Sequence, residues 1–259
     1  MPKKKDKIIG TVVWGDNHSP FMHKASHEAI YQFSKAKKPQ HHVHIGDCLD
    51  LYAISQWAKD DYTGQVEQPI KIALKQLAEH FNTIGKINPK AELHWILGNH
   101  DDRLSKFTRK NPAWVGITDD ILGLMEYYGK CKVADRINII DIRLPTDDFQ
   151  IGKMHFCHGY YTSKYAAAKH VEEFEGNITH GHCHTMQMYS KGCKGMPRAG
   201  FSVGHLMDDS GMEYVKGKPT RAVRGFGYME HIETSGMFTM HLLPIVDGQF
   251  IFDGSVYGE

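Results

Sequence analysis

The sequence offers no run of the about 18 apolar residues that a membrane-crossing helix needs, and it has no low-complexity tract, internal repeat or Pro/Ser-rich linker. A bilayer span and a string of separate domains are therefore not expected. Its five cysteines, Cys48, Cys131, Cys157, Cys183 and Cys193, are odd in number and form no C-x-x-C pair. That argues against a disulfide framework and a zinc ribbon, and it suits a reducing compartment. Net charge is almost absent too: 31 Lys and Arg against 30 Asp and Glu leave +1, so no global field draws the chain to nucleic acid or a membrane surface. Lys3-Lys4-Lys5 followed by Ile8–Trp14 imitates a signal peptide only briefly, because the apolar stretch stops at Gly15-Asp16-Asn17-His18 without a small-residue cleavage site. A cytoplasmic location is the expectation.

What is present is an ordinary globular composition, 259 residues with 41% hydrophobic and 24% charged side chains. It predicts a single domain over 1–259 with a sizeable core. Periodicity predicts a β-branched strand at Lys7–Trp14, a helix at Met22–Lys37, a strand at His41–Ile45 and a helix at Gln68–Lys86 ended by Gly85. A strand at Ala91–Leu97 and a helix at Asp119–Tyr128 follow, then strands at Ile137–Ile142 and Ile151–Cys157 and a helix at Tyr165–Phe174. Met186–Tyr189, Gly225–Ile232, Phe238–Leu243 and Phe250–Phe252 read as strands. Lys191–Arg224, Gly-rich with seven Lys or Arg against three Asp or Glu, reads as an excursion loop.

Eighteen histidines are the unusual count. Histidine is the commonest metal ligand but also an ordinary surface or core residue, so position has to separate the two. Five short polar blocks follow strand-like runs or sit in the turns after them: Asp16-Asn17-His18, Gly46-Asp47-Cys48-Leu49-Asp50, Gly98-Asn99-His100-Asp101, His158-Gly159 and Gly181-His182-Cys183-His184. Singly, Gly46-Asp47 and Gly98-Asn99 are plain turn sequences; the ordered set is the signal. Carboxylate, amide and imidazole donors suit borderline divalent metals, and in open α/β sheets ligands gather beyond the carboxyl ends of strands.

The ordered set D-x-H, G-D-x-x-D, G-N-H-D, H-G and G-H-x-H, spanning Asp16 to His184, resembles the calcineurin-like metallophosphoesterase superfamily. The resemblance implies an α/β fold, a four-layer α-β-β-α sandwich of two mixed sheets, with a two-metal centre at the sheet edge. It implies Asp16, His18 and His184 as ligands of one metal, Asn99, His158 and His182 as ligands of the other, and Asp47 as the bridge. A shared hydroxide would attack the phosphorus. His100 matches the general acid and Asp50 the carboxylate that holds its other ring nitrogen. Manganese is the first choice of metal, with Fe, Zn, Co or Ni as alternatives.

The family's protein phosphatases extend the second block to G-D-x-x-D-R-G; here Leu51-Tyr52 follow Asp50, which argues against that branch. Ala199-Gly200-Phe201, Tyr214 and Arg224-Gly225-Phe226 are similar to phage metallophosphatases. The leading expectation is a phosphodiesterase or nuclease acting on nucleic acid or nucleotides. A phosphomonoesterase is the alternative, and a metal-binding scaffold without turnover the third reading. Aromatic Tyr52, Trp57, Tyr62 and Trp114, in loops expected at Tyr52–Gln68 and Arg103–Asp119, suit a base or a sugar. Homodimers are common in the family, so a homo-oligomer is compatible, and no membrane partner is expected. Cys183 is expected to pack, and Arg103 to pair with a surface carboxylate rather than touch phosphate. His23, His27, His41, His42, His44, His80, His94, His170, His231 and His241 carry solvated or packed roles, while His180 and His205 stay open.

Overall fold

The computed structural model describes residues 6–55, 67–111, 120–141, 149–192, 197–208 and 220–258. The chain opens with strand β1 (Ile8–Trp14), helix α1 (Lys24–Lys37), β2 (His41–His44), α2 (Glu67–Ile87) and β3 (Glu92–Ile96). Helices α3 (Arg103–Lys110) and α4 (Ile121–Gly129) precede β4 (Ile137–Ile140), β5 (Phe149–Ile151) and β6 (Met154–Phe156). Then come α5 (Ala166–Phe174), β7 (Ile178–His180), β8 (Met186–Lys191) and β9 (Arg198–Val203). Strands β10 (Gly225–Ile232), β11 (Phe238–Pro244), β12 (Phe250–Phe252) and β13 (Ser255–Tyr257) complete it.

A six-stranded sheet has the order β11-β10-β1-β2-β3-β4, and a five-stranded sheet the order β5-β6-β7-β9-β8. In the first, β1 to β4 run parallel and β10 pairs antiparallel with β1. In the second, β6, β7 and β9 run parallel between antiparallel edges. Both sheets are mixed, as the resemblance implies.

Side-chain alternation along the strands builds the layers. One face of β1, β2 and β3 sends Val13, Val43, Ile45 and Ile96 against Phe156, Phe201 and Val203 of the second sheet. The other face packs on α1 and α2, whose Ala29, Ile30, Phe33, Leu74, Leu77, Phe81 and Ile84 recur at helical spacing and are buried. Helix α5 covers the far side of the second sheet, with Val171 against Cys157 and Ile178. Phe33 meets Phe226, Tyr228, Phe250, Phe252 and Tyr257 edge-on, at 5.0–5.6 Å between ring centres, and ties the small β12–β13 hairpin to α1. Truncating it to alanine would cost about 3–5 kcal/mol.

Four local expectations change. Gly85 lies inside α2 against Val133, and the helix continues to Ile87. The run Ile151–Cys157 is not one strand, because Gly152, at φ 61°, turns the chain between β5 and β6. The Lys191–Arg224 excursion contains β9, a strand hydrogen-bonded on both sides within the second sheet. The Arg103–Asp119 loop begins with helix α3. Trp57, Tyr62, Trp114 and Tyr214 lie outside the described residues.

Candidate metal centre

All five blocks sit just past the carboxyl ends of parallel strands. Asp16 and His18 follow β1, Asp47 and Asp50 follow β2, Asn99 and His100 follow β3, His158 follows β6, and His182 and His184 follow β7. The two sheets bring these ends to a common rim. His18 Nε2 lies 3.2 Å from His184 Nε2, which lies 3.8 Å from Asp16 Oδ1. His158 Nε2 lies 3.0 Å from Asn99 Oδ1 and 3.3 Å from Asp47 Oδ2. Donor atoms of Asp16, His18 and His184 form one cluster within 4.8 Å of one another, and those of Asp47, His158 and His182 form another. Asp47 Oδ2 reaches toward both, at 3.8 Å from His18 Nε2. Every residue predicted as a ligand is therefore at the rim.

Placing them there strains the backbone. His18, Asp47, His182 and His184 have φ of 49°, 48°, 65° and 54°, the left-handed region that costs an L-residue about 1–2 kcal/mol. Four strained residues converging on one site mark a functional constraint. The turns are locked by Asp101, the last residue of the third block, which sequence reasoning left without a role. Its buried carboxylate accepts from the backbone N–H of Gly98 at 2.9 Å and Leu49 at 2.8 Å, and from the Trp95 indole at 3.2 Å. It thereby ties the second block to the third. A Cβ on Gly98 would run into the Asp47 carboxylate, so the turn after β3 can approach that closely only without a side chain.

The electrostatics ask for positive charge. Burial alone would push His158 down, but the Asp47 and Asp16 carboxylates outweigh it and raise the ring to about 10. Burial raises Asp16 to about 7 despite His158 and His18. Asp47 is held well below the usual carboxylate range, the cost of its burial outweighed by His158, His100 and His18. His182 is lowered to about 4, and His184 well below its ordinary value, mainly by burial. His158 Nδ1 donates to the Ile45 carbonyl at 2.9 Å, which aims Nε2 at two acceptor oxygens. Such a set is satisfied by a proton on Nε2 or by a cation among the three atoms. The borderline N/O donor chemistry and the convergence of lone pairs thus fit divalent cations.

Beside the ligands, Asp50 Oδ2 stands 3.1 Å from His18 Nδ1 and 3.2 Å from His100 Nδ1. It is held low because those two histidines outweigh its burial. One carboxylate thus orients a ligand ring and the candidate acid together. Arg103 does not seek a surface carboxylate: it donates to the Asp50 carbonyl at 2.6 Å and pairs with Asp50 Oδ1 at 3.3 Å. Its Nη2 lies 3.0 Å from His100 Nε2. Because a guanidinium only donates, Nε2 is the acceptor here and Nδ1 carries the proton facing Asp50. Cys183 contacts Thr185 Oγ1 and Ser202 Oγ at 3.2 and 3.0 Å, a packed role. The ring of His205, left open by sequence, lies 5.5 Å from that of His184.

A cleft of about 310 Å³ opens beside Asn99, His158 and His182, with Lys106 and Tyr160 among its lining residues. Tyr160, 54% exposed, is backed by Phe174 in a stacked contact at 5.5 Å.

No family model matches the chain. Among curated proteins it is similar to the Gene 54 protein of Mycobacterium phage D29, with 26% identity over 259 residues, covering 95% of this chain and 97% of that one. Among solved structures it is similar to Vacuolar Protein Sorting 29 from Cryptosporidium parvum, with 11% identity, TM-score 0.49, and coverage of 98% and 100%. It is also similar to YfcE, a phosphoesterase from E. coli, with 12% identity, TM-score 0.39, and coverage of 90% and 99%. Two mixed sheets thus carry the five blocks to one shared rim.

Proposed function

We propose that the chain is a metallophosphoesterase that uses two divalent cations, manganese first, to hydrolyse phosphodiester bonds in nucleic acid or nucleotides. The observation that carries the reading is the convergence of six donor residues in two clusters, with Asn99 beside His158 and Asp47 reaching toward both. Asp16, His18 and His184 would hold one cation, Asn99, His158 and His182 the other, and Asp47 both. When bound, the cations would supply Lewis acidity toward phosphoryl oxygens and a water of lowered pKa.

The protein's own groups supply the rest. Asp50 fixes the His100 ring by accepting from Nδ1, which leaves Nε2 facing the position where a leaving-group oxygen needs a proton. Arg103, now against Nε2, would turn its guanidinium to an incoming phosphate oxygen and so free Nε2 to take a proton from solvent. The imidazolium, its Nδ1–H held by Asp50, would then give that Nε2 proton to the leaving-group oxygen. Lys106 and the Tyr160 ledge in the adjoining cleft suit a second phosphate and a base, which favours a diester over a small monoester.

The test is hydrolysis of bis-p-nitrophenyl phosphate against p-nitrophenyl phosphate, with Mn²⁺ added back to chelator-stripped protein. Diester preference is expected. His100→Ala should lower turnover about 10²–10⁴-fold with metal content unchanged. Monoester preference would replace the substrate class, and two bound metals without turnover of either would make the protein a scaffold.

A further inference from the structure

At the opposite ends of β2 and β3 from the rim, three more donors meet. His41 is the first residue of β2 and Glu92 the first of β3, and the parallel register sets them side by side. His94, two residues along β3, falls on the same face as Glu92. His41 Nδ1 and His94 Nε2 each lie 3.5 Å from Glu92 Oε2, and the two nitrogens are 3.4 Å apart. The three atoms thus make a nearly equilateral triangle.

Those lengths discriminate between two explanations. Hydrogen bonds from a ring N–H to a carboxylate prefer about 2.7–3.2 Å, so the edges of the triangle are longer than well-formed hydrogen bonds, although they lie within ion-pair range. Ligand atoms about 2.0–2.1 Å from a tetrahedral zinc stand about 3.3–3.4 Å apart, and the observed edges match that figure. The donors are also in the right state: burial lowers both His41 and His94, the latter to about 4, against the opposing pull of Glu92. Two neutral imidazoles and one carboxylate are a zinc-type donor set. The His94 and His41 side chains are 8% and 18% exposed and that of Glu92 is 67% exposed, so a fourth position faces solvent.

We propose that His41, Glu92 and His94 form a separate binding site for one zinc-class divalent cation, with a water as the fourth ligand. It clamps the amino-terminal ends of β2 and β3 together. The site is independent of the rim, since it shares no residue with it.

The experiment is metal content per chain after equilibration with Zn²⁺ and removal of excess, for the whole protein and for the variants Glu92→Gln and His41→Gln. Both residues start strands and neither fills the apolar core, so the variants should keep the wild-type melting temperature in chelator; should one fall short, the other decides. Each variant is expected to hold one ion fewer than the wild type, and cobalt loading should show tetrahedral visible bands that weaken in both. Equal metal content in the wild type and a folded variant overturns the site. So does a deficit with unchanged cobalt bands.

Discussion

His158 at the rim and the histidines of the inner layer have opposite electrostatic fates. At the rim, His158 faces carboxylates and is raised to about 10. Between the first sheet and its helices, His27 and His42 are lowered to about 4 by burial, and His44 and His80 are also lowered. The inner group meets neutral partners only. Tyr31 Oη lies 2.6 Å from His80 Nδ1, and His80 Nε2 lies 2.7 Å from His44 Nε2. The Trp14 indole donates to His42 Nδ1 at 3.1 Å, so His42 Nε2 carries the proton and donates to Asn88 Oδ1 at 3.0 Å. Complete satisfaction by neutral groups makes these rings part of a rigid core. Burial is common to all of them and also lowers His182 and His184 at the rim; it is the pair of carboxylates beside His158 that reverses its sign.

The strongest way to break that contrast is to remove the carboxylate shared by the two rim clusters. Asp47→Ala should abolish measurable hydrolysis, a loss beyond the about 10⁴ of a missing general acid, and should leave the rim without bound metal. Because ligands that bind only the folded state stabilise it, added Mn²⁺ should raise the melting temperature of chelator-stripped wild type at the rim, whereas stripped Asp47→Ala should gain nothing from rim occupancy. A variant that still gains stability from Mn²⁺ would separate Asp47 from the metals.

A subtler change sharpens the division within the rim. Asp50→Asn keeps the shape of the side chain but offers one acceptor and one amino group to His18 Nδ1 and His100 Nδ1, which now share a single oxygen. Turnover should fall about 10–100-fold, the usual cost of an orienting carboxylate, with metal content near that of the parent. Release of metal would show that holding His18 is its larger task.

The rim was legible in the sequence because each of its donors follows a strand in a polar, glycine-marked turn, and turn chemistry is local. Helix α2 was legible for a similar reason, since Leu74, Leu77, Phe81 and Ile84 repeat along one face. Strand β9 was not. Ala199 and Gly200 read as loop residues, yet a Cβ at Gly200 would meet the Ala167 carbonyl of α5 at 2.6 Å; the residue is small because a helix lies on it. Strand β7 is only Ile178–His180, too short for any periodicity. Arg103 pairs with a carboxylate 53 residues away, and His41 meets Glu92 and His94 only through the register of neighbouring strands. Contacts of that kind have no local signature.

The inner histidines give the smallest effect, and its sign follows from the same contrast. His42 is lowered to about 4 in the folded chain by burial, against about 6.5 when unfolded. A depressed folded value means that stability is fully present above the unfolded pKa and is lost as pH falls through the folded one. Acidification from pH 7.5 to pH 5 should therefore remove of order 2 kcal/mol through this ring alone. His42→Gln keeps a donor for Asn88 and an acceptor for the Trp14 indole without the titration. Urea unfolding of both proteins at the two pH values should show the wild type losing that much more stability than the variant on acidification, whatever other groups titrate in common. Equal losses would mean that His42 takes up its proton in the folded chain at the same pH as in the unfolded one, and the partition between a cation-binding rim and a neutral inner layer would have to be redrawn.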